Sequence, residues 1–526
     1  MKKTTASASS AEHSTDPGSL SVSGSWLLHL TVVVGGAAVM ILELLGTRIV
    51  GPFYGVSLYV WSSLIAVTLI ALALGYYVGG YLADRVPAVR LAHVMLTAAL
   101  STLAIPFLSG PVLAATNGLG MRAGSFASAL LLFTLPLTCM AMVGPFVIKS
   151  FARHLERVGT AVGSVYAIST LGSVAGTLLL GFYLLPHFGT RTILFSLTLA
   201  LLLLSTFLTL ADRQVTSRFL PPSIFGATAL VGLLLFNGFA HSATHSGPFK
   251  VLHEEESIYG WVRVVDDERH GYRLLLSDAS VLSAMDIARG HTLLSYQVAM
   301  GVLPRFRPHM TDALLIGLGG GHVARELKSQ GITTDTIEID PAVADAARNY
   351  FNFRPTGEFV VGDARYEVKR LGKPYDLIIH DCFTGGSEPT HLLSMEMLGQ
   401  LRAMLKEQGI LALNYVGFTQ GEGSEAVASV HKTLKNLFPY VRVFVTEKGD
   451  FTDFIFLAAP QPLEVDAETR DRRLQWMLER ESTALPAAGR LIVTDDYNPL
   501  ESMQVRKAEA YRNLFMERLA FDLLLR

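Results

Sequence analysis

The sequence predicts a multi-pass α-helical membrane domain followed by an α/β domain with a Rossmann-like sheet. The first observation is an uneven distribution of charge. Residues 26–240 hold 14 Asp, Glu, Lys and Arg side chains, whereas residues 241–526 hold 70. The second observation is an alternation of strand-like and helix-like segments after residue 250, which is typical of a mostly parallel sheet covered on both faces. The 526 residues are therefore not one soluble globule.

This division predicts four segments in order along the chain. Residues 1–25 are polar and rich in Ser, Thr and Ala, and we expect a disordered tail there. The membrane domain covers residues 26–240, a small β region covers 250–290, and the Rossmann-like domain covers 291–526. A formal net charge of −2 excludes a global field that favours nucleic acid. The two cysteines, Cys139 and Cys382, exclude a disulfide framework or a Cys-rich metal site.

Seven apolar runs in the N-terminal half are each close to the ~20 residues that a helix needs to cross a bilayer. They fall near residues 26–48, 58–82, 91–114, 124–148, 160–186, 192–211 and 220–240. Pro106 and Pro111 interrupt the stretch 91–120, so a re-entrant piece is an alternative for that stretch. Two stripes of small residues, at 75–80 and 163–176, predict close packing between helices. The polar residues that interleave the second stripe leave a substrate-lined cavity open as an alternative.

The loops between these runs differ in positive charge. If the N-terminal tail is cytoplasmic, the cytoplasmic loops hold Arg85, Arg90, Lys149, Arg153, Arg157, Arg213 and Arg218, and the opposite loops hold little beyond Arg48, Arg122 and Arg191. The positive-inside rule favours this arrangement. Seven crossings from a cytoplasmic start, however, leave the soluble half outside the cytoplasm.

The soluble half begins with two segments that we interpret as strands of a small β region, ESIYGWVRVVDD (256–267) and YRLLLSDASVLS (272–283). A strand, a Gly-rich turn and a helix then follow over 314–331, where the turn carries Gly317, Gly319 and Gly321. Such a turn lets a backbone approach a nucleotide closely, but alone it is a weak signal. The next strand ends at Glu338, and an acidic residue about 20 positions after the turn is suited to a ribose hydroxyl pair.

Two further carboxylates end later strands. Asp363 follows Gly362 and is placed to accept a hydrogen bond from an adenine amino group, and Asp381 ends the strand YDLIIHD (375–381). With the Gly turn and Glu338, these residues form four points at the carboxyl ends of strands, where open α/β sheets bind ligands. The alternative is that each carboxylate only caps a helix or turn.

These motifs resemble those of a known family. Residues 255–460 resemble a spermidine synthase, a polyamine aminopropyltransferase with a methyltransferase-like fold. The N-terminal half resembles that of bacterial membrane-fused spermidine synthase-like proteins in ELLGTRIVGPFYGVSLYVW (43–61), GYYVGGYLADR (75–85) and GSVYAISTLGSVAGTLLLGF (163–182). The ending VTDDYNPLE (493–501) also resembles that group.

The resemblance implies roles for particular residues. Glu338 is expected to bind the ribose of a sulfonium nucleoside and Asp363 its adenine. The three glycines are expected to let the nucleoside approach the backbone closely. Asp381 matches the catalytic aspartate that orients and deprotonates the attacking amine. Tyr296 and Gln297 match a pair that lines the active site, with Gln297 on the cofactor side and Tyr296 on the substrate side. Asn414 stands at a substrate-site position where the family often has Gln.

Two positions depart from the family pattern. Gly320 stands where an Asp usually binds the amine of the transferred group, and Thr384 stands where a second Asp usually binds the polyamine. Glu388 lies four residues further on and is the candidate replacement. Because an ammonium group is expensive to bury without a carboxylate, these losses weaken the expectation of polyamine synthesis.

Several functions therefore stay open at this stage. The leading hypothesis is an integral-membrane transferase that uses decarboxylated or ordinary S-adenosylmethionine as co-substrate, without a metal, and releases methylthioadenosine. Methyl transfer, aminocarboxypropyl transfer and cleavage of S-adenosylmethionine are alternatives, as is a transporter with a nucleoside- or polyamine-sensing domain. In each transfer the sulfonium is already a good leaving group, so the protein mainly aligns the nucleophile and removes its proton.

The same hypothesis names the partners and the location. We expect a small-molecule amine or another acceptor, the lipid bilayer, no nucleic acid, and a homodimer formed through the catalytic domain. The expected location is the bacterial inner (cell) membrane with multiple passes. Since S-adenosylmethionine is made in the cytosol, a cytosolic catalytic domain is favoured, against the loop charges if there are seven spans.

Overall fold

The computed structural model describes residues 22–55, 57–151, 158–211, 226, 230–232, 245–246, 248–383, 386–463, 465, 471–482, 485, 491–519 and 523. Within these residues, a set of long apolar helices precedes a five-stranded sheet and a seven-stranded sheet flanked by helices. The predicted fold class, apolar helices followed by a Rossmann-like α/β domain with a small preceding β region, is confirmed.

The N-terminal helices are long and apolar. They are α1 (Val22–Tyr54), α2 (Leu58–Arg85), α3 (Leu91–Thr116), α4 (Gly120–Ala141), α5 (Val143–Phe151), α6 (Val158–Leu179) and α7 (Thr190–Ala211). A π-helical turn (Leu180–Leu184) and a short helical segment (Leu185–His187) extend α6. Among the described residues, five helical stretches are long and apolar enough to cross a membrane: Trp26–Tyr54, Leu58–Arg85, Leu91–Phe151, Val158–His187 and Thr190–Ala211.

The third of these stretches has 61 residues and contains two of the predicted spans, α3 and α4 with α5. A 3₁₀ turn (Asn117–Leu119) joins α3 to α4, and the two helices pack against each other. Helix α3 continues through Pro106 and Pro111, so the re-entrant alternative for this stretch is wrong. The seventh predicted span, 220–240, lies almost wholly outside the described residues, and the count of seven stays a prediction.

The small-residue stripes pack helices closely together. A Cβ atom added at Gly172 would lie 2.2 Å from the carbonyl oxygen of Val33 in α1, and one added at Gly75 would lie 2.4 Å from Cβ of Ala141 in α4. These distances leave no space for a side chain, which allows the helix backbones to approach. The predicted close packing is confirmed at these positions.

One end of the helix bundle contacts the soluble half directly. Near the end of α1, the Arg48 guanidinium donates to the carbonyl oxygens of Ser257, at 3.2 Å, and Ile258. At the start of α7, the backbone N–H and the hydroxyl of Thr190 donate to Glu256 Oε2 at 2.8 and 2.7 Å. We call this end of the bundle, formed by the α1–α2, α3–α4 and α6–α7 connections, the contact end.

The opposite end of the bundle, where α2 and α5 end and α3 begins, carries those basic residues of the predicted cytoplasmic loops that the structure describes. Arg85 is the last residue of α2 and Arg90 precedes α3. Lys149 in α5 pairs with Asp84 across 3.3 Å. We call this the basic end, and its helix ends lie one helix length away from the contacts with the soluble half.

The first sheet is an antiparallel meander of β1 (His245–Ser246), β2 (Phe249–Glu256), β3 (Trp261–Asp267), β4 (Tyr272–Ser277) and β5 (Ser280–Asp286). Each predicted strand of the small β region contains a turn. The structure therefore has four strands, β2 to β5, where the sequence predicted two. In the first turn, Ser257 Oγ accepts from the backbone N–H groups of Tyr259, at 3.0 Å, and Gly260, at 3.1 Å. In the second turn, Asp278 has a φ of +49°, which a continuous strand does not permit.

The second sheet has the order β8-β7-β6-β9-β10-β12-β11. Its strands are β6 (Asp312–Ile316), β7 (Thr333–Glu338), β8 (Phe359–Val361), β9 (Tyr375–His380), β10 (Leu405–Phe418), β11 (Tyr440–Val445) and β12 (Phe451–Ala459). The first five in chain order are parallel, and β12 runs antiparallel to both β10 and β11. Because the chain moves outward from β6 to β8 and then returns to β9, a topological switch point lies between β6 and β9.

Helices cover both faces of this sheet. They are α8 (Ser295–Val302), α9 (His322–Ser329), α10 (Pro341–Tyr350), α11 (Ala364–Leu371), α12 (Met395–Ala403), α13 (Ser424–Leu437), α14 (Arg472–Leu478), α15 (Leu500–Met503) and α16 (Val505–Arg518). Helix α16 bridges the two halves of the chain. Its Phe515 joins the apolar core of the N-terminal helices, and its Arg512 guanidinium lies 5.0 Å from the ring of Tyr54 in α1.

Candidate active site

A cavity of about 410 Å³ opens at the carboxyl ends of β6, β7, β9 and β10, at the switch point of the sheet. A volume of this size is typical of a small-molecule site. The lining residues that carry the argument below are Tyr296, Gly317, Gly319, Glu338, Asp363, Asp381, Cys382, Asn414, Glu447, Asp453, Tyr511 and Arg518.

The Gly turn forms the floor of this cavity. Gly317 follows β6 with a φ of +91°, and a Cβ atom there would lie 2.1 Å from the carbonyl oxygen of Asp381. Only glycine permits both this conformation and this approach, so the ends of β6 and β9 meet closely. Gly321 has a φ of +73° and precedes α9, whereas Gly317 and Gly319 line the cavity itself.

Glu338 is held rigidly at the end of β7. Its Oε2 accepts from the backbone N–H of Leu318 at 2.9 Å, and its Oε1 accepts from the backbone N–H of Asp340 at 3.0 Å. Burial raises the pKa of this carboxyl group, although hydrogen bonds from the backbone of Leu318, Ile339 and Asp340 act in the opposite direction. A carboxylate has about four acceptor sites, so these backbone contacts leave capacity for a ligand hydroxyl.

Asp363 combines a structural contact with a place in the cavity wall. Its Oδ1 accepts from the backbone N–H of Arg365 at 2.7 Å, which caps the start of α11. The capping alternative and the binding expectation are therefore compatible at this residue, because the second carboxylate oxygen is not used by the cap.

Asp381 lies directly after β9 at the centre of the cavity. Asn414 in β10 donates its Nδ2–H to Asp381 Oδ1 at 3.0 Å. Burial and the nearby charges of Asp453, Glu388 and Glu338 raise the pKa of Asp381 to about 7, against the lowering effect of Asn414. A carboxylate with a pKa near neutrality is suited to accept a proton during a reaction.

Tyr296 and Gln297 occupy different depths. Tyr296 lines the cavity from α8, whereas Gln297 is buried behind the wall. The Gln297 amide donates to the Tyr296 hydroxyl at 3.1 Å and to Ser283 Oγ at 3.3 Å, and Thr292 donates to its oxygen at 2.5 Å. With these three partners Gln297 holds the wall in place, and its predicted direct contact with the cofactor has no support in this arrangement.

The structure explains why position 320 carries no carboxylate. The backbone N–H of Gly320 donates to Ser283 Oγ at 2.7 Å. A Cβ atom at this position would lie 2.9 Å from Ser283 Cβ and 3.1 Å from the ring of Phe351. The space that an aspartate needs is therefore filled. The second departure, Thr384, lies outside the described residues.

Glu388, the candidate replacement, is used elsewhere. It is 2% exposed, and Lys507 of α16 forms a buried ion pair with its Oε2. Its Oε1 accepts from the backbone N–H of Val416 at 2.8 Å. Because a lysine of the chain already neutralises this carboxylate, Glu388 does not provide a vacant site for a substrate amine.

Sequence reasoning missed two acidic residues of the cavity and the helix that closes it. Asp453 and Glu447 line the cavity from β12 and from the turn before it, and Tyr511 and Arg518 line it from α16. Burial and the charges of Glu388 and Glu447 raise the pKa of Asp453 to about 6. The available signal was an acidic residue within the otherwise apolar segment DFIFLAA (453–459), in a strand of the predicted sheet.

Neighbouring histidine and cysteine side chains are poorly suited to proton or group transfer. Burial and Arg325 lower the pKa of His322 to about 3, and burial lowers the pKa of His380 to about 4. Both imidazoles are therefore neutral near pH 7. Burial raises the pKa of the Cys382 thiol well above its usual range, which disfavours a thiolate nucleophile. Across the described residues, no group of three or more His, Cys, Asp or Glu side chains is arranged to hold a metal ion.

Residues 294–448 match the family model described as the Spermine/spermidine synthase domain. The polyamine aminopropyltransferase of Alkaliphilus metalliredigens is 30% identical over 207 residues, which cover 37% of this chain and 71% of that protein. The chain belongs to the spermine/spermidine synthase family. The matched segment of this family member extends from α8 through β11 and contains the Gly turn, Glu338 and Asp381.

Other proteins similar to this chain carry names of different activities. The N-terminal histidine N-methyltransferase of Emericella nidulans is 30% identical over 378 residues, covering 65% of this chain and 66% of that protein. The polyamine aminopropyltransferase of Vibrio vulnificus is 39% identical over 116 residues, covering 21% of this chain and 39% of that protein. The chain thus spans less than two thirds of the length of either protein. The solved spermidine synthase of Thermotoga maritima is 18% identical, covers 50% of this chain and 88% of that chain, and has a TM-score of 0.35.

Proposed function

We propose that the chain transfers an aminopropyl group from decarboxylated S-adenosylmethionine to an amine and releases methylthioadenosine. The observation that carries this proposal is the charge of the cavity. Five carboxylates line it, namely Glu338, Asp363, Asp381, Glu447 and Asp453, whereas Arg518 is the single Lys or Arg among the described lining residues. Such a site favours a donor and an acceptor that are both cationic.

In the proposed reaction, the lone pair of the acceptor nitrogen attacks the aminopropyl carbon that is bonded to the sulfonium. The carbon–sulfur bond breaks, and its electron pair neutralises the sulfur as methylthioadenosine leaves. The new nitrogen–carbon bond leaves an extra proton on nitrogen, which Asp381 accepts. Asn414 holds Asp381 in place, and the Gly turn with Glu338 and Asp363 positions the nucleoside.

The direct test uses the full-length protein in detergent with decarboxylated S-adenosylmethionine and 1,4-diaminobutane. We expect methylthioadenosine and an aminopropylated amine in equal amounts, measured by mass spectrometry. Ordinary S-adenosylmethionine, whose α-carboxylate adds a negative charge to an acidic cavity, is the matched control donor. Absence of methylthioadenosine with every amine tested would contradict the proposal.

A pH dependence follows from the raised pKa of Asp381. Below a pH of about 7 this carboxyl group is protonated and cannot accept the proton of the amine. We therefore expect kcat/KM to fall about tenfold per pH unit below that value. Above it, titration of Asp381 should no longer affect kcat/KM, so the acidic limb of the pH profile ends there. Because Asp453 contributes to the raised pKa, the Asp453→Asn variant is expected to move the limb to lower pH. A limb that stays in place in this variant would contradict the coupling.

A second candidate is N-methyl transfer from ordinary S-adenosylmethionine. The similarity to a relative named as an N-methyltransferase favours it, because that similarity extends over 378 residues whereas the family model covers residues 294–448. The proton acceptor and the nucleoside contacts would be the same residues. S-adenosylmethionine labelled on its methyl group separates the two reactions, since a labelled amine product is formed in methyl transfer alone.

We further propose that the chain crosses the bacterial inner membrane and holds its soluble half on the side away from the cytoplasm. The contact end of the bundle supports this orientation, because Arg48 and Thr190 bind the soluble half there, whereas Arg85, Arg90 and Lys149 lie at the basic end. The positive-inside rule assigns the basic end to the cytoplasm. This orientation reverses the sequence-based preference for a cytosolic catalytic half, and it requires a route for the donor across the bilayer.

Reporter fusions after Arg526 test the orientation. We expect an alkaline phosphatase fusion, which is active only outside the cytoplasm, to be active, and a fluorescent-protein fusion, which folds in the cytoplasm, to be dark. The opposite pair of results would place the soluble half in the cytoplasm and contradict this orientation.

A further inference from the structure

The register of two antiparallel strands places Asp453 beside the centre of the cavity. Asp453 in β12 lies opposite Val416 in β10. Asn414 lies two residues before Val416, so these two side chains share one face of the strand. Since Asn414 donates to Asp381 at 3.0 Å, the three polar side chains of Asp381, Asn414 and Asp453 form one wall, and each of them lines the cavity.

The structural contacts of Asp453 leave its charge uncompensated. Thr446 Oγ1 donates to Asp453 Oδ2 at 3.2 Å. In the described part of the chain no lysine, arginine or histidine forms an ion pair with this carboxylate, and the neighbouring charges of Glu388 and Glu447 raise its pKa further. A carboxylate held in a cavity wall beside other acids is costly unless a cation binds there.

A second atom of the same wall lacks a partner. Asn414 is 5% exposed, and its Oδ1 has no hydrogen-bond partner among the described residues. This oxygen is itself covered, and the Nδ2 of the same amide is used by Asp381, so Asn414 orients the Asp381 carboxylate. The wall therefore offers an oriented, proton-accepting carboxylate at one point and the carboxylate of Asp453, without an ion-pair partner, further along.

On the basis of the proposed reaction, we infer that Asp453 is a specificity-determining residue that binds the distal ammonium of a diamine acceptor. The reacting amine lies at Asp381 and Asn414. Strands β9 and β12 flank β10, so their axes are about 10 Å apart at ~4.8 Å per strand, a distance that a short aliphatic diamine and its hydrogen bonds span. Asp453 thereby supplies, from β12, the acceptor-side charge that Glu388, already paired with Lys507, does not provide.

The Asp453→Asn variant removes the negative charge of residue 453 without changing the size of its side chain. Its side chain has the same shape, and its carbonyl oxygen can still accept from Thr446, so the contact that orients residue 453 is retained. Asp450→Asn is the matched control, because Asp450 is an exposed aspartate just before the same strand, outside the cavity, bonded to Gln420 at 3.0 Å.

The experiment compares 1,4-diaminobutane with butylamine, which has the same chain length but no distal ammonium. We expect Asp453→Asn to lower kcat/KM for the diamine by tenfold or more, the loss typical of one hydrogen bond to a charged group. Butylamine should be affected about twofold or less, and Asp450→Asn should match the wild type with both amines. Parallel losses for the two amines, or no loss for either, would overturn the inference.

A binding measurement separates this inference from the proposed reaction. Calorimetry of 1,4-diaminobutane with the full-length protein, saturated with methylthioadenosine, requires no turnover. If the wild type binds the diamine and Asp453→Asn binds it tenfold or more weakly, the role of Asp453 stands even where no aminopropyl transfer is detected. Equal affinities in the two proteins, or no binding by the wild type, would overturn it.

Discussion

Replacement of Asp381 by Asn is expected to reduce methylthioadenosine formation by about 10²–10⁴-fold, the usual contribution of a general base. The amide keeps the size of the side chain but cannot accept a proton from the attacking amine. The hydrogen bond between Asn414 and residue 381 is retained through the remaining carbonyl oxygen. The measurement is the initial rate with decarboxylated S-adenosylmethionine and 1,4-diaminobutane at pH 8.

Folding of this variant provides the control. The pKa of Asp381 in the folded protein is raised, so the carboxyl group contributes to stability below its unfolded pKa and this contribution is lost as the pH rises through about 7. At pH 8 the Asn variant should therefore be at least as stable as the wild type. Asp345→Asn, at an exposed position of α10, should leave the rate unchanged. A rate within threefold of the wild type would contradict the assignment of Asp381.

Replacement of Lys507 by Ala is expected to destabilise the soluble half by about 3–5 kcal/mol, the usual cost of leaving a buried charge unpaired. Lys507 and Glu388 are each 2% exposed, and the Lys507 ammonium also lies 4.0 Å from the ring of Tyr415. Loss of the lysine leaves the Glu388 carboxylate buried without its cation. We expect the midpoint of thermal unfolding to fall by on the order of 10 °C.

Two further variants test whether the unpaired charge of Glu388 causes this loss of stability. Lys435→Ala removes an exposed lysine from α13 and should change the midpoint little. In the double variant Lys507→Met with Glu388→Gln, no charge remains, and the glutamine oxygen still accepts from Val416. Most of the lost stability should return in this variant. A double variant as unstable as Lys507→Ala alone would show that the unpaired charge is not the cause.

The same ion pair matters for the cavity. Lys507 anchors α16, and Tyr511 and Arg518 further along this helix close one side of the site. The other face of the helix contacts α1, where Arg512 lies over the ring of Tyr54. The cavity wall is thus built partly by a helix that rests on the N-terminal bundle, which links the apolar half of the chain to the site.

The part of the cavity formed by the Gly turn and Glu338 was predictable because it depends on local order along the chain. A strand followed by a Gly turn and a helix brings Gly317 and Gly319 to the sheet edge, and the next strand brings Glu338 to the same edge. Parallel strands with helical crossovers all end on one side, so the residues that follow them meet there without further information. Gly320 was predictable as a departure, although the reason for it, the packing of Ser283, was not.

The part of the cavity formed by Asp453 was not predictable because it depends on contacts between distant segments. Asp453 enters the cavity through the pairing of β12 with β10, and Glu388 is neutralised by a lysine 119 residues further along the chain. The spacing of residues along the sequence does not predict the register with which an antiparallel strand pairs when the chain returns to the sheet. The candidate replacement was therefore sought near Thr384, whereas Asp453, which we propose for that role, comes from another strand.

By itself, the sequence determined the division into an apolar helical half and an α/β half, the strand-ending carboxylates and the basic loops. Composition and periodicity decide these features, because burial of apolar surface and the side-chain period of each element act over short stretches. Only the tertiary structure decided that Asp453 enters the cavity wall while Glu388 is paired with Lys507, and which end of the bundle meets the soluble half. Both depend on long-range contacts, those of Lys507 with Glu388 and of Arg48 with Ser257, whose partners are 119 and 209 residues apart.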